Sequence, residues 1–443
     1  MPPSLRLSPI EIRSSKTQAL DIFAVVSPCV ALAFGFFVQF NVMTATFGLP
    51  FLRLTDALMF LFLPLLFIVV GIGRTVRDGL LYFVVLCLVV TASLLGKTGV
   101  EQGDVYMTLI FFLTSVFAFF LVEVAQDEHV LVWLAAGILL GLIPSIGVLF
   151  LQANGAAGLA GIGLGVPIDE TTSPMAAAFA KTKFGGMWIH GNEAGHVYAV
   201  ASASAFYLAF RFRQPFIYVG YYGLLVATFA VTLNRSGLIA PTIALIYLYA
   251  RLGNFRLYVG SAVAAVIGVG VLLSLPNAPG LDTLSDTIET RLVDDSHAES
   301  NVSERAMSNI QGVQVALENP FGIGYNERIA EMGQKTTTGI VSVHNGFLSL
   351  ANQSGLAVAF LYVVACFYLF INRRTVSLFY LATTAFTVTS MCFEELSINP
   401  FFIFSVALTI AAAWLHYSKS AQMKIAKQPK LVLRSLTLRR PPH

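Results

Sequence analysis

VYMTLIFFLTSVFAFFLVEV, residues 105–124, contains a single carboxylate, Glu123, one residue from its end. As an α-helix the stretch is about 30 Å long, the thickness of a bilayer's hydrocarbon core. It is apolar on every side, so it has no face to turn toward water. Comparable windows recur at 21–40, 54–73, 79–96, 130–151, 193–210, 215–233, 237–250, 257–275, 345–370, 375–393 and 399–416, which makes about 12 spans. The composition agrees. Of the 443 residues, 56% are hydrophobic and 12% charged, with mean hydropathy +0.75, whereas soluble domains carry roughly 25% charged residues. The expected fold is an all-α polytopic membrane protein.

The basic residues set the expected orientation. With the N-terminus inside, the inner segments hold Arg6, Arg13 and Lys16, then the pairs Arg74 and Arg77, Arg211 and Arg213, Arg251 and Arg256, and Arg373 and Arg374. A basic tail follows, and this bias puts both termini in the cytoplasm. The organisation read from the chain is an N-terminal segment 1–20, a helical domain 21–416 and a tail 417–443 that is disordered near anionic lipid. The first span is retained, because no small-residue cleavage pattern follows it. Two long outer loops interrupt the domain, 152–192 and 276–344, the second lying between spans 9 and 10. In the second, Leu281, Leu284, Ile288 and Leu292 recur at helical spacing, which predicts a short surface helix.

A net charge of +3 without a basic cluster argues against nucleic acid as a partner. Cys29, Cys87, Cys366 and Cys392 all lie in apolar runs and read as small buried hydrophobes. No metal is expected. The two histidines of HGNEAGH (190–196) are six apart, not the four that bring two ligands to one helix face.

Ionisable residues avoid the hydrocarbon, where an Arg costs at least ~2.5–3.5 kcal/mol. They gather at the outer ends of spans and in the outer loops: Arg235, Arg291, Arg305 and His344, with Glu193, His196, Glu394 and Glu395. An outward-facing site follows, not an ion path through the bilayer. Arg235 lies in NRSG (234–237), a tight connection between spans seven and eight. A lone interfacial Arg ordinarily snorkels to water, but this one is on the outer side and pressed against neighbouring helices, where its planar fork suits phosphate oxygens. Arg305 opens RAMSNIQGVQVALENPFGIG (305–324), a helix that Pro320 and a Gly-rich turn bring to an end. For Arg291, nearby Glu289, Asp294 and Asp295 offer a plain structural pairing. His344 begins HNGFLSLANQSG (344–355), where the outer loop meets the tenth span; a single interfacial His is more often a structural hydrogen-bonder than a catalyst.

Taken together, the Arg-Ser-Gly turn at 235–237, the Arg305 to Asn-Pro-Phe-Gly-Ile-Gly segment and the His-Asn-x-Phe-Leu start at 344–348 resemble the O-antigen ligase and Wzy-type polysaccharide polymerase superfamily. There are three departures: Asn234 stands where Ser is usual, no aromatic follows Arg305 by a turn, and Gln353 replaces a frequent Glu. The resemblance implies metal-independent, inverting glycosyl transfer with no cofactor at the periplasmic face of a bacterial inner membrane. The donor would be an undecaprenyl-pyrophosphate-linked glycan and the acceptor another such glycan, making a polymer, or the lipid A core. Polysaccharide-assembly and chain-length proteins would be partners. In this scheme Arg235, Arg305 and Arg291 bind pyrophosphate, His344 is catalytic, and Asn345 and Gln353 support it. The competing class is a transporter of lipid-linked glycans or solutes, which should show midplane charges and interrupted helices.

Overall fold

The computed structural model describes residues 15–38, 54–97, 100, 102–126, 128–153, 191–232, 236–252, 295–324, 343–394 and 399–427, and all regular structure among them is helical. The helices are α1 (Ser15–Phe37), α2 (Leu54–Val70), α3 (Leu80–Leu95), α4 (Gln102–Val124), α5 (Glu128–Ala153), α6 (Gly191–Phe212) and α7 (Pro215–Thr232). They continue as α8 (Ser236–Leu252), α9 (Asp295–Glu318), α10 (Gly346–Ser354), α11 (Leu356–Ile371), α12 (Leu378–Met391) and α13 (Pro400–Lys427). A single turn, Ile72–Arg74, and a π-helical turn, Thr75–Gly79, lead into α3.

Among the described residues, four stretches are long and apolar enough to cross a membrane: Ile72–Leu95, Gly103–Val124, Glu128–Leu151 and Pro400–Gln422. Shorter apolar stretches lie in α1, α2, α7, α8, α11 and α12. The chain is a multi-pass helical membrane protein. Pro28, Pro64, Pro144 and Pro241 all sit inside helices, a placement that packed neighbours make tolerable in membrane helices. Every window read as a span coincides with described helix except 257–275. That window, the surface helix at 281–292, Arg235 and Arg291 lie outside the described residues.

The bundle is joined by close packing. α1 lies on α5 so tightly that a Cβ on Gly35 would come 2.5 Å from the Leu134 carbonyl oxygen, and one on Gly137 would overlap that of Leu32. Small residues that let backbones approach are a main source of helix association in lipid. Phe34 of α1 meets Phe117 of α4 and Phe404 of α13, with ring centroids 4.3 and 4.9 Å apart. α13 also packs on α11 and α12, α12 on α6 and α8, and α6 on α5 and α7.

Charges are sorted to the two ends. At the arginine-bearing end, Arg77 pairs with Asp78 at 2.7 Å and Gln422 reaches the same carboxylate at 2.9 Å. Lys419 meets Glu123 at 3.3 Å, and Arg211 meets Glu128 at 3.2 Å. These contacts correct the expectation of a disordered tail from 417, because α13 continues to Lys427 and its polar side chains tie it to the bundle.

The opposite end holds a second difference. The continuous span expected over 345–370 is two helices, α10 and α11, broken at Gly355 (φ 92, ψ 160), a conformation essentially reserved for glycine. The Asn-Pro-Phe-Gly-Ile-Gly loop after α9 fills the break. Ile323 N–H donates to the Asn352 carbonyl at 2.7 Å and Leu356 N–H to the Pro320 carbonyl at 2.9 Å. A transporter could use free backbone groups at such a break to hold its cargo; here the chain itself takes them.

Candidate active site

α10 begins with a side-chain cap. Asn345 is extended (φ −154, ψ 114), and its amide oxygen accepts from the N–H groups of Phe347 at 3.0 Å and Leu348 at 3.1 Å. The cap fixes His344, the residue before it, at the mouth of the helix. Asn345, expected to support His344, is seen to hold the backbone that starts α10. Gln353 is fully buried on the same helix and donates to Ser349 Oγ at 3.2 Å.

His344 faces a carboxylate that motif reading left out of the site. Its Nδ1 lies 3.6 Å from Oε1 of Glu394, with side-chain exposures of 24% and 7%. Glu394 sits in the turn that ends α12, where its own N–H and that of Phe393 donate to the Ser390 carbonyl at 3.2 and 3.1 Å. At 3.6 Å the two groups are within electrostatic reach and not yet hydrogen-bonded, and catalytic hydrogen bonds commonly tighten when substrate binds.

Arg305 enters from α9. The helix starts at Asp295, so Arg305 is not the helix-start residue the sequence led us to expect but lies well inside a 24-residue helix. It is half-buried and shares a face with Ser308, Gly312 and Val315. That face is turned to α10: a Cβ on Gly312 would lie 2.9 Å from the Val343 side chain and 3.5 Å from Nδ2 of Asn352, and Val315 packs with Val343 and Ile323. Seven residues of helix place Arg305 about 10 Å from Gly312 along α9. Asn352 is fully buried, and neither of its amide atoms has a hydrogen-bond partner among the described residues.

More buried polar groups share this end. Asn399 caps α13 through Phe401 N–H at 2.9 Å, and its Nδ2 donates to Glu193 of α6 at 2.6 Å. His196 Nε2 meets Ser236 Oγ at 2.9 Å, which pins to α6 the residue that follows Arg235. α8, which Ser236 opens, packs on α6 and on α12, the helix that leads to Glu394. Asp104 is buried against Gly324. Among the described residues no three His, Cys, Asp or Glu side chains converge on a point that could hold a metal ion.

The class defined by fold and site is a multi-pass membrane protein with acids, imidazoles and amides concentrated at one end, beside a helix that carries an arginine. Residues 220–363, about a third of the chain, match the family model described as O-antigen ligase. The match supports membership of the O-antigen ligase/Wzy superfamily and takes in Arg235, Arg291, Arg305, His344, Asn345 and Gln353. Glu193 and Glu394 lie outside it. No curated protein matches the sequence.

Proposed function

We propose that the protein transfers a glycan from an undecaprenyl-pyrophosphate carrier to an acceptor hydroxyl, with inversion and without a metal ion. The transfer takes place at the periplasmic face of a bacterial inner membrane. This reading takes the chain as twelve spans with both termini in the cytoplasm, the orientation that the basic residues favour. The observation that carries this reading is the approach of His344, just before α10, to buried Glu394, with the Arg305 face of α9 packed against α10.

Arg305 and Arg235, with Arg291 as a further phosphate ligand, neutralise the pyrophosphate, each charge-assisted hydrogen bond contributing ~1.5–3 kcal/mol. Glu394 accepts Nδ1–H of His344, which leaves Nε2 as the base. The acceptor hydroxyl loses its proton to Nε2 while its oxygen bonds the anomeric carbon. The bond from that carbon to the phosphate oxygen breaks in the same displacement, and the carrier pyrophosphate departs with the electron pair. The acceptor is a second lipid-linked glycan, so that repeat units polymerise. A second reading, transfer to the lipid A core, is favoured by the description of the matched family.

The test uses purified full-length protein with a lipid-linked oligosaccharide in EDTA, with and without lipid A core. Longer glycan on the carrier identifies a polymerase and glycan on the core a ligase; no transfer in either case overturns the proposal. Arg305→Ala and His344→Ala are each expected to lower turnover ~100-fold or more while the protein still inserts. Full activity in either variant removes that residue from the mechanism.

A further inference from the structure

α9 has two faces, and the site uses only one of them. Opposite the packed face, Met307, Ile310, Val313 and Leu317 form a stripe at helical spacing, with Ile310 70% and Leu317 68% exposed. Phe321, just past the helix end, extends it. Apolar stripes of this kind are uncommon on surfaces that face water. The stripe is also confined to one half of the helix, since 295–304 reads DSHAESNVSE, which is almost wholly polar.

We infer that this outward face is seated in the membrane, with the hydrocarbon of bilayer lipid as its occupant. The argument is continuity. Phe321 lies directly on Gly96 at the end of α3, and Ser93 Oγ of α3 donates to the Phe321 carbonyl at 3.4 Å. α3 belongs to a stretch long and apolar enough to cross a membrane, and it turns Leu81, Val84, Leu88 and Leu95 outward, the last 80% exposed. The stripe on α9 thus prolongs a lipid-facing surface around the end of the bundle. The polar half of the helix leads away into water, and the apolar half dips into the headgroup boundary as an interfacial helix does. For the transfer reaction proposed above, on which this consequence rests, the seat holds Arg305 at the depth of lipid phosphates, so that a lipid-linked donor meets it from within the leaflet.

The test introduces Ile310→Trp and, separately, Leu317→Trp into the full-length protein in phosphatidylcholine–phosphatidylglycerol vesicles. The added emission is read as the increment over the parent, whose own tryptophans are constant. Expected is a blue-shifted increment that loses most of its intensity when the acyl chains are brominated and resists aqueous acrylamide. An increment quenched by acrylamide and not by bromine places the stripe in water and overturns the inference. Quenching by neither places the stripe under another part of this chain or a second copy, and overturns it equally. Because no glycan transfer is measured, failure here and failure of the proposed reaction are read independently.

Discussion

At the scale of single residues, the His344 and Glu394 pair is the most informative contact. A carboxylate this buried is expensive unless a partner compensates it, and the imidazole 3.6 Å away is a group it can orient. In the proposed reaction Glu394 is a positioning residue, since it would act through His344. Glu394→Gln is expected to lower kcat about tenfold or more with KM for the donor retained, a fraction of the ~10²–10⁴ that a placed acid–base group contributes. Glu394→Asp, which keeps the charge, should recover part of the loss. Steady-state kinetics on vesicle-bound protein would read the difference, and an unchanged kcat in the Gln variant would detach Glu394 from the reaction.

At the scale of elements, the break between α10 and α11 is the decisive feature. It ends α10 within three turns of its Asn345 cap and lets the loop after α9 dock on the freed Asn352 carbonyl and Leu356 N–H, which locks the arginine helix to the helix that His344 precedes. Gly355→Ala forces a Cβ into a backbone conformation that costs roughly 1–3 kcal/mol for other residues. The added atom would also lie 2.8 Å from the Phe321 carbonyl carbon. A fall of several degrees in the thermal unfolding midpoint is expected, together with loss of transfer. Gly220→Ala is the control, since nothing lies within 4 Å of the Cβ it would add. Equal midpoints for the two variants would mean that the break is not a structural requirement.

At the scale of the whole molecule, stability in lipid comes from close packing, because lipid chains are as apolar as the side chains they touch. The contact of Gly35 and Gly137 between α1 and α5 is the tightest such seam. Gly137→Val is expected to destabilise by ~1–3 kcal/mol through overpacking, while Gly147→Val on the same helix meets open space and should be near neutral. Chemical denaturation in detergent would rank the two, and comparable losses would show that the seam carries no special load. The same bundle sorts its charges to opposite ends, so site chemistry and ion-paired anchoring never compete for the bilayer core.

The sequence alone determined the helical membrane class and the position of nearly every helix and carried the family resemblance, since apolar runs and local motifs depend only on residues adjacent in the chain. Arg305, His344, Asn345 and Gln353 stood out as candidates for the same reason. The chain did not disclose that Glu394 faces His344, that Asn399 holds Glu193 or that His196 holds Ser236, because each pair joins helices far apart in sequence and leaves no periodic trace. Nor did it disclose the Gly355 break, since a glycine within an apolar run reads equally well as continuous helix until a loop arrives to satisfy the freed backbone. Tertiary structure alone decided those contacts: in a water-excluded bundle, buried polar and backbone groups must find partners wherever packing brings them.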